Sequence, residues 1–201
     1  MSQSAISTTS IEPDYSMEQA KATAVRYAID TRISRFTVQA FATGVLSVFG
    51  HNPKIAIREF AGEAQFTPGN FEDATLRITV KAASLGVADD ISDKDRREME
   101  RQMQEEVLES SQYPEIVYEC SRVSASDGRV DLHGGLTLHG ITRSETIPAR
   151  VALTGDTLRA FGEFTLRQTD YEIKLVSALG GALKVKDELK FAFDVVARKQ
   201  G

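Results

Sequence analysis

Most of the chain after its first twenty or so residues alternates between apolar and polar side chains with a period of two. In SRFTVQAF, for example, Phe36 and Val38 alternate with polar neighbours. Successive side chains of a β-strand point to opposite faces, so this period predicts strands with one apolar face. Turn sequences such as TPGN separate successive copies of the pattern, which predicts about eight or nine antiparallel strands.

Two places interrupt the alternation. In PKIAIREFAGEAQF the apolar parity switches between Ile57 and Phe60, and one extra residue near Arg58 or Glu59 would cause that switch. We therefore expect a β-bulge there. The strand that begins RFTV becomes apolar on both faces further along, so it is long or bent, and Gly44 is the candidate bend.

One segment, SDKDRREMERQMQEEVLESS, follows a different period. Met99, Met103 and Val107 recur every four residues among charged side chains, which predicts an amphipathic helix over residues 93–109. Ser92 or the aspartate after it can cap the start of this helix. Because the apolar stripe is narrow, we interpret the helix as a lid or plug on the sheet with a solvated outer face.

Sequential antiparallel strands with a single helix predict an all-β fold, either a sandwich or an up-and-down barrel. We favour an antiparallel barrel of about eight strands with one α-helix insertion, formed by residues 24–201. Residues 1–23, rich in Ser and Thr, are interpreted as an N-terminal tail or short helix. An eight-stranded barrel has room inside for side chains or for one small ligand.

Composition narrows the function classes. The chain of 201 residues is 41% hydrophobic and carries a net charge of -5, which argues against a nucleic-acid partner. Cys120 is the only cysteine, and we interpret it as a small apolar residue on a strand. The N-terminus lacks the features of a secretory signal, and the longest weakly polar run, residues 33–50, is too interrupted to span a membrane. We therefore expect a cytoplasmic protein with no integral membrane segment.

The stretch LHGGLTLHGIT contains two of the three histidines. His133 and His139 have the parity opposite to the leucines, so we predict that both face outward. Six residues of strand span about 20 Å at ~3.3 Å each, so a shared metal ion would need a sharp bend at the double glycine. It would also need another ligand, such as His51. We interpret the histidines instead as hydrogen-bonding to nearby backbone or carboxylate groups.

Other catalytic signatures do not occur in the sequence. It contains no nucleophile elbow, no dinucleotide-binding motif and no P-loop. Arg167 and Asp170 in LRQTDYE could pair across a turn, and we interpret that pair as structural. We therefore predict no catalytic residues, no metal site and no cofactor apart from a bound lipid.

The apolar face of the strands predicts either a packed core or an apolar pocket. The residues that we predict to line a ligand cavity are Phe36, Val38, Leu76, Ile78, Leu136, Leu138, Phe164, Leu166, Phe191 and Phe193.

The motifs SRFTVQAF, VFGHN, YPEIVYECSRV, LHGGLTLHGIT, GEFTLRQTDYEI and SALGGALKVKDELKF follow in an order that resembles the YceI-like family over residues 25–199. The resemblance implies a lipocalin-like barrel around an elongated apolar cavity that holds isoprenoids or other long-chain lipids. It also implies a homodimer, and family members are commonly exported. The chain departs from the family pattern at FGHN and at RQTDYEI, which keeps Arg167 and Asp170 but lacks a glycine.

The leading hypothesis is a barrel without enzymatic activity that stores or transports a long-chain apolar ligand, such as an isoprenoid or a fatty-acid-like lipid. One alternative is a metal protein or enzyme that uses His51, His133 and His139. Another is a ligand-free barrel with a structural or interaction role. The alternation does not decide between a cavity and a packed core, because both are lined by the same pattern.

Overall fold

The computed structural model describes residues 23–43, 52–178 and 183–201. The predicted tail, apart from residue 23, and the predicted bend at Gly44 lie outside these ranges. In chain order the elements are β1 (Val25–Ile29), β2 (Arg35–Gln39), β3 (Ala42–Thr43), β4 (Lys54–Ile57), β5 (Phe60–Thr67), β6 (Asn70–Lys81), β7 (Leu85–Val87), α1 (Asp93–Gln102), β8 (Glu115–Ser126), β9 (Arg129–Leu138), β10 (Ile141–Thr154), β11 (Thr157–Arg167), β12 (Ser177–Ala178), β13 (Leu183–Val185) and β14 (Glu188–Lys199).

In the described part of the chain, eight strands close into an antiparallel barrel, which confirms the predicted fold class. Around the barrel they follow the order β1, β5, β6, β8, β9, β10, β11 and β14, and β14 pairs with β1 to close the circle. Closure leaves no free edge along this ring, which removes the exposed backbone groups of an open sheet. A small separate sheet of β12, β13 and β3 lies beyond the barrel strands.

At three places in the barrel wall, a strand is interrupted by a short irregular segment and the chain then continues as a second strand. Residues 30–34 separate β1 from β2, residues 58–59 separate β4 from β5, and a 3-10 turn at Ala82–Ser84 separates β6 from β7. The first half of β14 pairs with β2 and its second half with β1, while β4 pairs with both β2 and β7. Strands β2, β4 and β7 therefore extend the barrel wall towards one end.

The parity switch predicted near Arg58 and Glu59 occurs at those residues, but its cause differs from the predicted bulge. The chain bends between two separate strands, β4 and β5, and so restarts the alternation at Phe60. The register shifts of the barrel fall elsewhere, between Gln65 and Thr67 and between Cys120 and Arg122.

Two buried serines satisfy backbone groups at the interruptions. The Ser34 hydroxyl donates to the Asp30 carbonyl oxygen at 2.8 Å and accepts the Val196 N–H at 3.0 Å. The Ser84 hydroxyl donates to the Lys81 carbonyl oxygen at 2.7 Å and accepts the Glu59 N–H at 3.0 Å. Because a buried backbone group without a partner is costly, these hydroxyls stabilise a wall that the strand ladder alone would leave incomplete.

The two ends of the barrel are built differently. At one end, which we call the turn end, tight connections place Gly69, Gly128 and Gly155 at positive φ, a region that favours glycine. At the opposite end, which we call the loop end, lie α1 and the connections around residues 82–114 and 168–187. Among the described residues, the large segments that can cover an opening are therefore at the loop end.

The helix begins where the sequence predicts, since the Ser92 hydroxyl accepts the Asp95 N–H at 3.1 Å. It ends at Gln102 and continues as a wider π-helical turn over Met103–Val107, so the regular helix is shorter than the predicted 93–109. Turns of this kind occur frequently at functional sites. None of the helices among the described residues is long and apolar enough to cross a membrane.

The predicted ion pair between Arg167 and Asp170 does not form. Arg167 Nε instead donates to the Asp187 carboxylate at 2.9 Å. Strand pairing explains the difference, because Arg167 lies opposite Glu188 and the preceding Asp187 is therefore brought beside it. The Asp187 carboxylate also accepts the N–H and the hydroxyl of Thr169, so the residue organises the loop end.

Replacing Ser34 with alanine should lower the free energy of unfolding by about 1–3 kcal/mol, because the partly buried Val196 N–H loses its acceptor. Urea denaturation measures this change. The matched control is Ser126→Ala, at an exposed serine of β8, which should leave stability nearly unchanged. Equal losses for the two variants would contradict the role assigned to Ser34.

Candidate ligand-binding site

The barrel encloses a cavity of about 340 Å³. Pockets that hold small ligands have volumes of roughly 300–1,000 Å³, so the space is sufficient for a ligand. All of the residues predicted from the alternation lie on its wall, namely Phe36, Val38, Leu76, Ile78, Leu136, Leu138, Phe164, Leu166, Phe191 and Phe193. Their contact with a ligand stays a prediction.

Several inward-facing side chains are only half-buried although they lie in the middle of strands. Leu76, Ile78 and Phe164 belong to this group. Well-packed protein interiors have few voids larger than a water molecule, so a filled core would bury such residues completely. Their accessibility indicates an interior space that the side chains of the described residues leave empty.

Aromatic rings form part of the cavity wall. Phe164 of β11 stacks on Phe191 of β14 with ring centroids 4.9 Å apart. The Phe193 ring lies beside Gly162, where an added Cβ would come within 2.8 Å of the ring. Gly162 therefore leaves space for the Phe193 ring on the inner face.

The turn end of the cavity is blocked by a group of aromatic side chains. Tyr27 and Phe66 are both 2% exposed, and their rings stack at 5.0 Å. Phe71 lies 5.1 Å from the Phe66 ring. Because these rings are packed against one another, a ligand can reach the interior most directly from the loop end.

The cavity wall is almost entirely apolar, and none of the described residues that line it carries a charged side chain. Tyr118 lies on this wall and donates its hydroxyl proton to the Leu132 carbonyl oxygen at 2.7 Å. Burial raises the pKa of the Tyr118 phenol well above its usual range and also raises the pKa of the nearby Cys120 thiol. Cys120 is buried on β8, in agreement with its interpretation as a small apolar strand residue.

The helical segment covers the loop end with the stripe that the sequence predicts. Met99, Met103 and Val107 all line the cavity, while Arg101 on the outer surface pairs with Glu98 and Glu105. Gln104, in the π-helical turn, donates its amide protons to the carbonyl oxygens of Ala82 and Leu85. We refer to residues 92–109 as the lid.

The first anchor of the lid is at the outer edge of β7. Glu100 Oε1 accepts the Val87 N–H at 2.9 Å, and the Arg96 guanidinium donates to the Val87 carbonyl oxygen. Glu100 and Arg96 lie one helical turn apart on α1. Together they satisfy the two backbone groups of Val87 that a neighbouring strand would otherwise pair with. Gly86 leaves room for this arrangement, because a Cβ there would lie 2.8 Å from the Glu100 carboxylate.

The second anchor is His139, which contradicts the prediction that it faces outward from a strand. His139 Nε2 lies 3.0 Å from Glu109 Oε2, and Nδ1 lies 3.3 Å from the Tyr171 carbonyl oxygen. The Tyr113 ring packs on the imidazole at 4.4 Å. Strand parity does not apply to His139 because β9 ends at Leu138, so that His139 belongs to a turn, with a φ of 51°.

His133 follows the parity prediction and stays on the outer face of β9. Its ring nitrogens lie 3.0 Å from the Ser124 hydroxyl and 3.1 Å from the Thr146 hydroxyl, so its partners are hydroxyls of the two neighbouring strands. His51 lies outside the described residues. Within residues 23–43, 52–178 and 183–201, no three His, Cys, Asp or Glu side chains are grouped to hold a metal ion.

The alternation gives no indication of Gln168, which directly follows β11 where the pattern stops. Its side chain is 4% exposed and lines the cavity. Gln168 Nε2 donates to the Lys186 carbonyl oxygen at 2.9 Å. Its only sequence signal is its position in the TLRQTDYEI block, since a buried amide has no period that distinguishes it from a surface one.

The geometry defines a closed, lipocalin-like β-barrel with an apolar cavity and a helical lid. The chain belongs to the YceI-like family, whose domain model matches residues 27–197. This finding confirms the resemblance on which the sequence analysis relied.

Relatives with curated sequences are distant. The chain is 25% identical over 138 residues to a UPF0312 protein of Vibrio parahaemolyticus, with 67% of each chain covered. It is 24% identical over 166 residues to a UPF0312 protein of Vibrio campbellii, which covers 78% of this chain and 82% of the relative.

Solved structures with the same fold have lower sequence identities. Burkholderia cenocepacia BcnA matches with a TM-score of 0.68 at 17% identity, over 84% of this chain and 98% of its own. A polyisoprenoid binding domain from Saccharophagus degradans, implicated in plant cell wall breakdown, matches with a TM-score of 0.63 at 11% identity, over 87% and 98%. A Campylobacter jejuni YCEI protein matches with a TM-score of 0.61 at 16% identity, over 76% and 88%.

Replacing Glu100 with alanine should release the first anchor of the lid, because the Val87 N–H loses its acceptor. We expect hydrogen exchange at the Val87 amide to accelerate about tenfold, which corresponds to ~1.4 kcal/mol. Exchange measured by NMR tests this. Glu105→Ala is the matched control, since Glu105 pairs only with Arg101 on the exposed face among the described residues, and the same acceleration there would argue against the anchor.

Proposed function

We propose that this protein binds one long-chain apolar ligand, such as an isoprenoid or a fatty-acid-like lipid, inside the barrel, for storage or transport and without catalysis. The observation that carries the proposal is the cavity of about 340 Å³, which is lined by apolar side chains that stay half-buried. The polyisoprenoid binding domain from Saccharophagus degradans, which shares the fold, supports the same class of ligand.

Transfer of hydrocarbon from water supplies the affinity in this proposal. Each methylene buried in an apolar site contributes about 0.8 kcal/mol, so a chain can bind tightly without an ionic contact. The packed rings of Tyr27, Phe66 and Phe71 at the turn end favour a ligand whose tail points towards them. Its other end then lies under the lid, where Met99 and Met103 can adapt to the shape of the chain.

The metal or enzyme alternative has less support. Both ring nitrogens of His133 and both ring nitrogens of His139 already contact protein partners. A metal ion needs a free imidazole nitrogen, so binding at either residue would break an existing contact. The ligand-free structural barrel is also less favoured, because such a barrel would be expected to fill its interior with side chains.

Filling the cavity should prevent ligand retention. Ala160 lies on the cavity wall, and Ala160→Phe should reduce the amount of co-purifying lipid at least several-fold, because the added ring takes up part of the volume. Organic extraction of the purified protein followed by mass spectrometry measures the lipid.

The matched control for this variant is Ala152→Phe, at the residue of β10 that is exposed and pairs with Arg159. It should retain lipid at the level of the unchanged protein. Apolar lipid no more abundant than in a heat-denatured and washed sample of the unchanged protein would contradict the proposed function.

A further inference from the structure

The second anchor of the lid places an imidazole between two hydrogen-bond acceptors. His139 Nε2 lies 3.0 Å from Glu109 Oε2, and Nδ1 lies 3.3 Å from the Tyr171 carbonyl oxygen. A carbonyl oxygen and an ionised carboxylate have no proton to donate. A neutral imidazole carries one N–H and so satisfies only one of these acceptors, whereas an imidazolium ion donates to both.

The same two contacts also form when the shared proton lies on the carboxyl group. Glu109 then donates to Nε2, while Nδ1 still donates to the Tyr171 carbonyl oxygen. In both arrangements the complete anchor holds one proton more than a neutral imidazole beside an ionised carboxylate. Formation of the second anchor is therefore coupled to the uptake of one proton.

Ionisable groups surround the imidazole on several sides. Glu109 and Tyr113 face it from the lid and from the connection after the lid. The turn that supplies the Tyr171 carbonyl oxygen and the adjoining start of β10 carry the other ionisable side chains, namely Arg143, Glu145, Asp170, Tyr171 and Glu172. Among these types of side chain, imidazole is the one that ordinarily changes charge between about pH 5 and about pH 8.

The backbone at the second anchor is held in the left-handed region. Glu109 has a φ of 43° and His139 a φ of 51°, while Glu172, which shares a peptide bond with Tyr171, has a φ of 56°. This conformation costs free energy for residues with a Cβ, and it persists where surrounding contacts hold it, often in switch regions. Loss of a side-chain contact here removes part of what offsets that cost.

The second anchor adjoins the part of the lid that covers the cavity. Leu108, directly before Glu109, is 8% exposed and lines the cavity together with Met103 and Val107. The first anchor holds the lid at Arg96 and Glu100, on the other side of these residues in the chain. Release of Glu109 would therefore free the end of the lid that carries Leu108 and leave the first anchor in place.

We propose that the contact between Glu109 and His139 makes the lid pH-dependent, closed over the cavity when the pair holds its additional proton and open when that proton is lost. Because closure takes up a proton, a rise in pH through the range in which histidines titrate favours the open lid, and a fall in pH favours the closed one. This inference rests on the proposed function where it concerns the ligand, which would then exchange faster at the higher pH.

The direct test is hydrogen exchange at the Leu108 amide, measured by NMR and corrected for the intrinsic effect of pH on exchange. This amide donates to the Met103 carbonyl oxygen at 2.9 Å within the lid, so its protection reports lid opening without any ligand. We expect protection to fall three- to tenfold between about pH 5.5 and about pH 8, the range that the loss of one partly exposed hydrogen bond provides. The rate at which the neutral dye N-phenyl-1-naphthylamine binds should rise by a similar factor.

Two substitutions should abolish this pH dependence with opposite results. His139→Asn removes the imidazole but suits the turn, since asparagine before glycine is favoured where both residues have positive φ, as at positions 139 and 140. We expect its lid to be open at both pH values. In Glu109→Gln the amide can donate to a neutral imidazole or accept from a charged one, so this lid should stay closed at both.

His133→Gln is the matched control, because His133 lies on the outer face of β9 and contacts only hydroxyl groups among the described residues. This variant should keep the full pH dependence. Protection of Leu108 that does not change with pH in the unchanged protein, or a change that persists in His139→Asn or in Glu109→Gln, would overturn the role of the second anchor. A pH-dependent lid in a protein that binds no dye at either pH would overturn the proposed function and leave the role of the second anchor intact.

Discussion

The antiparallel pairing of β14 with both β1 and β2 is the interaction on which the rest of the structure depends, because it converts a sheet into a closed wall. Closure separates an inside from an outside. Because side chains alternate between the two faces of each strand, the apolar side chains then lie on the inner face. In a ring of this size the described inward side chains form a buried core that still leaves a cavity within it. The aromatic rings at the turn end and the lid at the loop end follow from this, since an apolar interior must be shielded from water at both ends.

The lid combines two kinds of interaction with different physical character. Its underside contributes apolar side chains to the cavity, an interaction with little directional preference. Its attachment is directional, through the backbone groups of Val87 at one side and through the pair of Glu109 and His139 at the other. Position is therefore determined by polar contacts outside the cavity, so that the surface facing a ligand can stay apolar and adaptable.

Much of this architecture could be predicted from the sequence, because alternation is a local property. Phe36, Leu76 and Phe164 face the interior as the pattern predicts, and Ser92 begins the helix. The errors fall where strands end or distant segments meet. His139 lies one residue beyond β9, and Arg167 pairs with a residue twenty positions away. Whether the interior is empty could not be predicted, because cavity volume depends on which side chains meet across the barrel.

Both termini of the barrel domain leave from the turn end. The Gln200 N–H donates to the Arg26 carbonyl oxygen at 2.8 Å, so the last residues lie against the start of β1. The covered opening is at the opposite end. Immobilisation of the protein through its C-terminus, on a sensor surface for instance, would accordingly orient the lid away from the support and leave the opening accessible to lipid vesicles or detergent micelles.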